Sequence, residues 1–465
     1  MRNVQYQMPQ YNQVSGLMPP ISIREFRGLN TFDPLTINDS YFTDMQNMST
    51  ENFPALSTRK GYSVLGTFGT RVLGMGAWQN KELHVVFNDG TWRRWNGSAW
   101  TTLASGLSTT AEWSFTNFEG NLDQINLIGS NGVNPMKRYN GSTVQDLSGA
   151  PSQGKYITTY QNRLWCAVGR ELWASALDQP NEWNRFQVDQ EDSYRKTIES
   201  THGEDISMLS GSLSKLTIGM PTSLHELYGG IPADFNVKLI TEASGVSSNK
   251  AITTLEGLMR FIHLSGVYEY AGGVSPDKSF SEIVGSLVTG VTPQACAGND
   301  GTNLYFNIPN DKLLVYDTRP SVQAWTRWSG INAVEFIRIG SDLYIGDSNG
   351  RVLRLGGSQD GTNAIPWSVT FKPFNNNSAA QMSRWYKMFL VAEFSGTINI
   401  HMSNKVSGED WTLIDSITST GLSAQRIIIP VTQFTLENWV RIKLSGTGQI
   451  KLHEFTRQTR QLPLY

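Results

Sequence analysis

Six histidines are the first candidates for chemistry: His84, His202, His225, His263, His401 and His453. None has another histidine at metal-ligand spacing, and no His-Glu-x-x-His run occurs, so no metal site is expected. Cys166 and Cys296 are the only cysteines. They are too few and too far apart for a disulfide framework or a metal knuckle, and read as small buried apolar residues of a protein from a reducing compartment. No Gly-x-Ser-x-Gly elbow, phosphate-binding loop or dinucleotide fingerprint is present. The clusters FNDGT, GNDGTN, GDSNGR and SQDGTN superficially resemble calcium loops. They lack the alternating oxygen ligands and distal carboxylate such a loop needs, and suit short turns instead. Trp92 with Trp95 and Trp325 with Trp328 could stack on sugars, but such pairs more often fill the space between packed sheets. Arg93, Arg94, Lys137 and Arg138 are diluted by Asp89, Glu112 and Asp123 and read as a mixed solvated surface. No residue is nominated as catalytic, cofactor-binding or metal-binding, and no cofactor is expected.

Composition bounds what remains. At 465 residues and 39% hydrophobic content the chain can bury real cores, and 43 glycines with 18 prolines suit many turns. The 14 Trp, 16 Tyr and 20 Phe, often beside Val, Ile or Thr, favour strands over helices. A formal charge of −2 and a pI near 6.3 leave no basic excess for phosphates, so tight nucleic-acid binding is not expected. No apolar run approaches the ~18 residues that span a bilayer, and the first residues lack the apolar core of a secretory signal. A soluble chain without membrane contact follows.

The elements announce themselves by repetition. RRWNGSAWTTL at 93–103 returns as KRYNGSTVQDL at 137–147, each with Asn-Gly between strand-forming runs, which is a hairpin signal. Further units of the same grammar begin near Leu83, Ile125, Leu164, Leu216, Met259, Leu304 and Leu343, at steps of 42, 39, 52, 43, 45 and 39 residues. That spacing fits propeller blades. A hairpin is marginal alone, and radial stacking buries its faces while leaving only short edges. RVLGMGAW, AEWSFTNF, KYITTY and AVEFIRI supply missing strands, and the polar FQVDQEDSYRKTIESTHGED reads as a protruding loop. The expected fold is all-β: an irregular arm at 1–65, a β-propeller of about seven blades at 66–375, and, after the turn-rich FKPFNNNSAAQ, a β-sandwich of about six short strands at 380–465. A propeller axis can also host paired carboxylates for glycoside hydrolysis, but sequence alone does not reveal such a pairing.

Three stretches carry a resemblance. FRGLNTFDP with DMQNMSTENFPALSTRKGY, then YQNRLWCAVGRELWASALDQPNEWN, then NKAITTLEGLMRFIHLSGVYEYAGG occur in the order seen in propeller-bearing tail hub, nozzle or tail-stabilisation proteins of tailed bacteriophages. The chain resembles that family over about residues 24–360. The resemblance implies a structural virion protein rather than an enzyme, assembled in the host cytoplasm and located in the tail. It implies a ring of copies, expected as a hexamer, below the portal and adaptor and in contact with other tail proteins. Such a ring extends the DNA channel and helps retain and eject the genome, with DNA passing through its lumen without sequence-specific binding. The C-terminal sandwich has no match in the family, which leaves a baseplate or host-receptor (glycan) binding role as the alternative.

Overall fold

The computed structural model describes residues 16–375 and 383–461. Within them the regular structure is almost entirely strand, with one 3-10 helix at Ser279–Leu287. It divides into two compact units, Lys60–Asn363 and a second built from residues up to Arg59 together with Ala364 onward.

The first unit is a seven-bladed β-propeller. Blade 1 runs Val72–Trp78, Glu82–Phe87, Trp92–Trp95 and Trp100–Ala104, and blade 2 runs Ser114–Phe118, Asn126–Ser130, Lys137–Tyr139 and Val144–Asp146. Blades 3, 4, 5 and 6 start at Tyr156, Met208, Ile252 and Cys296, and blade 7 at Ala333. Six of the seven repeat anchors lie inside the second strand of their blade, and Ile125 immediately precedes its own. RVLGMGAW, AEWSFTNF, KYITTY and AVEFIRI supply first strands, which neighbour one another around the axis. The ring closes because Tyr62–Thr67, at the start of this unit, pairs antiparallel with Arg351–Leu355 and becomes the fourth strand of blade 7, with Gln359–Asp360 paired on its far side. Two ends of the unit thus share one sheet, so the ring does not open at blade 7 without breaking that pairing.

Packing between blades makes the core. Val72, Met75, Val85 and Phe87 of blade 1 cluster with Val334 and Val352 of blade 7. Similar clusters join blades 1 and 2, 2 and 3, 3 and 4, and 6 and 7. Glycine sets the closeness of approach: a Cβ on Gly298 of blade 6 would sit 2.2 Å from the Phe336 Cβ of blade 7. Trp92, Trp325 and Trp328 are buried in this wedge packing, while Trp95 is half-buried.

Several sequence expectations need correction. In the repeated hairpins the positive φ belongs to Gly97 and Gly141 alone. Asn96 and Asn140 act instead through their side-chain oxygens, which accept the backbone N–H of Ser98 and Ala99, and of Ser142 and Thr143. Inside the stretch read as a protruding loop, Tyr194–Thr197 forms the fourth strand of blade 3. Its polar side chains hid it, and Arg195 lies over the Trp173 ring at 3.3 Å. Blade 5 has three strands, Ile252–Leu255, Leu258–His263 and Gly266–Tyr270, with only a bridge from Glu269 to Asp277 beyond them.

The second unit is a ten-stranded, sandwich-like sheet among the described residues. The arm supplies part of it: Ile21–Ile23 and Leu56–Thr58 pair with Arg441–Gln461, and Phe42–Gln46 pairs with Pro366–Phe371. Phe26, Phe42 and Met45 are fully buried there. Four of the expected short strands merge into two of 21 residues, Ser383–Ser403 and Arg441–Gln461, paired along their length, while WTLIDSI and QRIIIPV form the separate short strands Thr412–Ser419 and Ala424–Ile429. Gly396 at φ 112° and Gly448 at φ 92° sit opposite each other within these strands. A Cβ on either would meet a facing carbonyl at 2.2–2.4 Å, so the pair permits close approach of two strands that continue through it. Residues 1–15 of the arm, 376–382 of the linker and 462–465 of the closing segment lie outside the described residues.

Candidate functional site

The propeller axis is where first strands converge, and there the structure assembles charges that are far apart in sequence. Lys250, in the turn before blade 5, sends its ammonium to the Leu73 carbonyl of blade 1 at 2.7 Å. Glu335 Oε2 of blade 7 lies 3.2 Å from the same nitrogen and Glu112 Oε2, just before blade 2, at 3.9 Å. Glu335 Oε2 also accepts the Met75 N–H at 2.8 Å, and Arg71 Nη2 meets Glu112 Oε1 at 2.6 Å. Beside Lys250, Asn249 Oδ1 accepts the Leu209 N–H and Asn249 Nδ2 donates to Ser114 Oγ of blade 2. This turn therefore braces blade 5 against blades 1, 2, 4 and 7.

Electrostatics follow from burial. Lys250 is 9% exposed; desolvation alone would pull its pKa down, but Glu335 and Glu112 outweigh it and hold it above the ordinary lysine value. Burial pushes Glu335 up to about 7 although Lys250 and the Met75 amide oppose the shift. The sulfur of Cys296 is buried near the same charges, and desolvation raises its pKa well above the ordinary value, as it does for Cys166. Neither thiol has thiolate character for nucleophilic work.

Openings of about 730 Å³ and 440 Å³ flank this bracket, the first lined by Arg71 and Glu112 and the second by Lys250 and Glu335. Two carboxylates do converge at the axis, the arrangement glycoside hydrolysis would require. A general acid must reach a leaving-group oxygen, however, and Glu335 faces an ammonium and a backbone N–H. The bracket's groups are thus engaged with one another.

Other residues singled out by sequence are dispersed. Arg93 pairs with Asp89 at 3.0 Å, Lys137 with Asp146, and Arg94 donates to Tyr139 Oη at 2.8 Å. His84 is buried, and Nδ1 accepts the Trp92 indole N–H at 3.0 Å. Burial, then Arg94, lowers its pKa to about 3, so it stays neutral. Among the described residues no three His, Cys, Asp or Glu side chains are placed to hold a metal. No helix there is long and apolar enough to cross a membrane.

Arg163 gives the Asn-Arg-Leu phrase a physical role. Its buried guanidinium donates to the carbonyls of Ser175, Asp192 and Gln190 at 2.8, 2.6 and 2.7 Å. Trp183 of the Asp-x-Pro-x-x-Trp phrase is buried and donates to the Pro180 carbonyl. The loop from 176 to 193 is consequently a built element.

Fold and site define a class: a seven-bladed β-propeller, braced ionically at its axis, carried with a sandwich-like unit. No protein-family profile and no curated protein sequence matches the chain. Among solved structures it is similar to the computationally designed Ika8 protein, at 11% identity over 64% of this chain and 100% of that one, TM-score 0.43. The WD40 β-propeller domain of Doa1 shares 9% identity over 64% of this chain and 96% of its own, TM-score 0.43. Sqt1 of Saccharomyces cerevisiae shares 11% over 64% and 98%, TM-score 0.41. No function is read from these likenesses.

Proposed function

We propose that this chain is a structural component of a bacteriophage tail. It acts as a hub or nozzle subunit, assembles with copies of itself into a ring below the portal and adaptor, and helps retain and eject the genome. The sequence resemblance over residues 24–360 supports this reading. The observation that carries it is the bracket at Lys250: Arg71, Glu112, Lys250 and Glu335 neutralise one another. The propeller therefore offers stiffness and surfaces rather than a group free to react, and the chain works as a part, not as an enzyme. A net charge of −2 suits a wall past which DNA must slide, because each phosphate neutralised would add affinity and slow passage.

The test is assembly and location. Purified full-length protein should form closed rings in electron micrographs, and mass spectrometry should find it in tails of the particle whose genome encodes it. Absence from purified particles, or a monomer that never closes into rings at high concentration, refutes the reading. The arm should not be shortened by 40 residues for this purpose, because Ile23, Phe26 and Leu29 belong to the buried core of the second unit.

A further inference from the structure

The second unit presents a polar face whose residues the sheet register brings into line. Gln46 pairs with Ser368, Ser368 with Ser445, Ser445 with Asn399, and Asn399 with Ser416, one row across five strands. Two residues along, Thr447, Thr397 and Thr418 form a second row. Their sequence neighbours Ile398, Ile400, Leu444 and Val369 are buried on the opposite face. Much of the two rows floors a depression of about 610 Å³, bounded at one end by His401, Lys443 and Trp411.

This face is poorer in charge than an ordinary solvated sheet: of the residues lining the depression, Lys443 is the one with a permanent charge. The other halves of the same long strands carry Lys387, Glu393, Lys451 and Glu454, with ion pairs such as Arg24 to Glu454 at 3.0 Å and His453 to Glu393 at 2.8 Å. Cations at and beside the depression have partners nearby. Lys443 lies 3.9 Å from Glu409, and Arg441 packs 4.5 Å from the Trp411 ring while donating to the Gly408 carbonyl. Trp411 itself donates its indole N–H to Glu409 at 3.1 Å. Burial and then Lys443 lower the His401 pKa, which keeps its imidazole neutral at pH 7. What remains is hydroxyl and carboxamide. Asn399, which lines the depression, accepts at Oδ1 from Ser416 Oγ at 2.8 Å, and Thr397 bonds Thr418 at 3.1 Å.

Ligand chemistry follows from this inventory. Hydroxyls and carboxamides both donate and accept, so they match a partner whose groups also do both. An anion would need uncompensated cations, and an apolar helix would need a Leu- or Met-lined groove. Strands about 4.8 Å apart repeat the polar groups at roughly the length of a pyranose unit. The Trp411 indole at the end, with Arg441 and Lys443 at 4.5 and 5.7 Å from its ring, is only half-buried and leaves apolar ring surface for sugar C–H groups. We infer that this face binds a neutral oligosaccharide chain, with Asn399, Ser445 and Thr397 bonding its hydroxyls and Trp411 packing against one sugar ring. The inference stands on the second unit alone and does not require the chain to be a tail component.

The test uses full-length protein and four neutral hexaoses: β-1,4-linked glucose, N-acetylglucosamine and mannose, and α-1,4-linked glucose, titrated calorimetrically. At least one should bind with a Kd between about 1 μM and 1 mM, unchanged between about 0.1 and 0.5 M salt. Asn399→Ala and Trp411→Ala should each weaken it about tenfold or more, equivalent to about 1.4 kcal/mol. Ser445→Arg, a substitution that leaves the core untouched, should abolish binding, and Glu393→Gln on the charged half should leave it unchanged. Absence of binding by all four at about 5 mM overturns the inference, as does binding that survives Ser445→Arg. If sedimentation shows that Ser445→Arg dissociates an oligomer while no sugar binds, the face is a self-association surface and the inference fails.

Discussion

Replacing Lys250 by Met keeps most of the stem volume and removes the ammonium from the axial bracket, so its cost isolates the charge. Three groups lose a partner. The Leu73 carbonyl retains the Trp113 N–H at 3.0 Å, and Glu112, a third exposed, retains Arg71 at 2.6 Å. Glu335 is left with the Met75 amide. Removing one member of a buried pair costs about 3–5 kcal/mol when the other stays charged, and here nearly all of that falls on Glu335. The penalty must therefore depend on pH. Glu335 titrates near 7 with Lys250 in place, burial being the cause, and loss of the ammonium raises it further. A carboxyl whose folded pKa exceeds its unfolded value holds a proton in the folded state alone across that interval, so stability falls as pH rises through it. Lys250→Met should be about 3–5 kcal/mol less stable than wild type at pH 8.5. The deficit should shrink to about 1–2 kcal/mol at pH 5, where a neutral Glu335 leaves only a lost hydrogen bond and packing. Adding Glu335→Gln should restore much of the loss at pH 8.5 and little at pH 5. Denaturant titrations followed by tryptophan fluorescence at both pH values measure this, since Trp92, Trp113 and Trp325 are buried in the propeller. A deficit below about 1 kcal/mol, or one equal at both pH values, would refute the reasoning that the bracket is a desolvated strut.

Two further substitutions probe the frame. Arg163→Gln removes charge-assisted bonds to three carbonyls and should cost about 3 kcal/mol, with tryptic cleavage after Arg185 appearing early in limited proteolysis; an unchanged digestion pattern contradicts the role given to Arg163. Gly298→Ala forces a Cβ into Phe336 and should cost about 1–3 kcal/mol in the melting of the propeller, whereas Gly285→Ala, with open space around it, should be neutral; equal effects would show that blade approach is not set at Gly298.

How far the fold was legible depended on whether its signal was local. The hairpin grammar around Leu83, Leu164 and Leu304 recurs because each blade solves the same burial problem, so period and blade number could be read directly. Tyr194–Thr197 could not, because an outer strand with polar side chains on a Trp173 neighbour has no apolar alternation. Gly396 and Gly448 look the same in sequence whether they end a strand or lie within one, and only their mutual pairing shows which.

By itself, then, the sequence determined the all-β class, the sevenfold repeat and the absence of any local catalytic motif, because those follow from propensity, periodicity and spacing along one chain. Tertiary structure alone decided that Tyr62–Thr67 closes blade 7, that the arm completes the second sheet, and that Lys250 meets Glu335 and Glu112. It also decided that Gln46, Ser368, Ser445, Asn399 and Ser416 stand in one row. Each of these joins residues tens to hundreds of positions apart. Such contacts depend on register and closure, which no short stretch of sequence encodes.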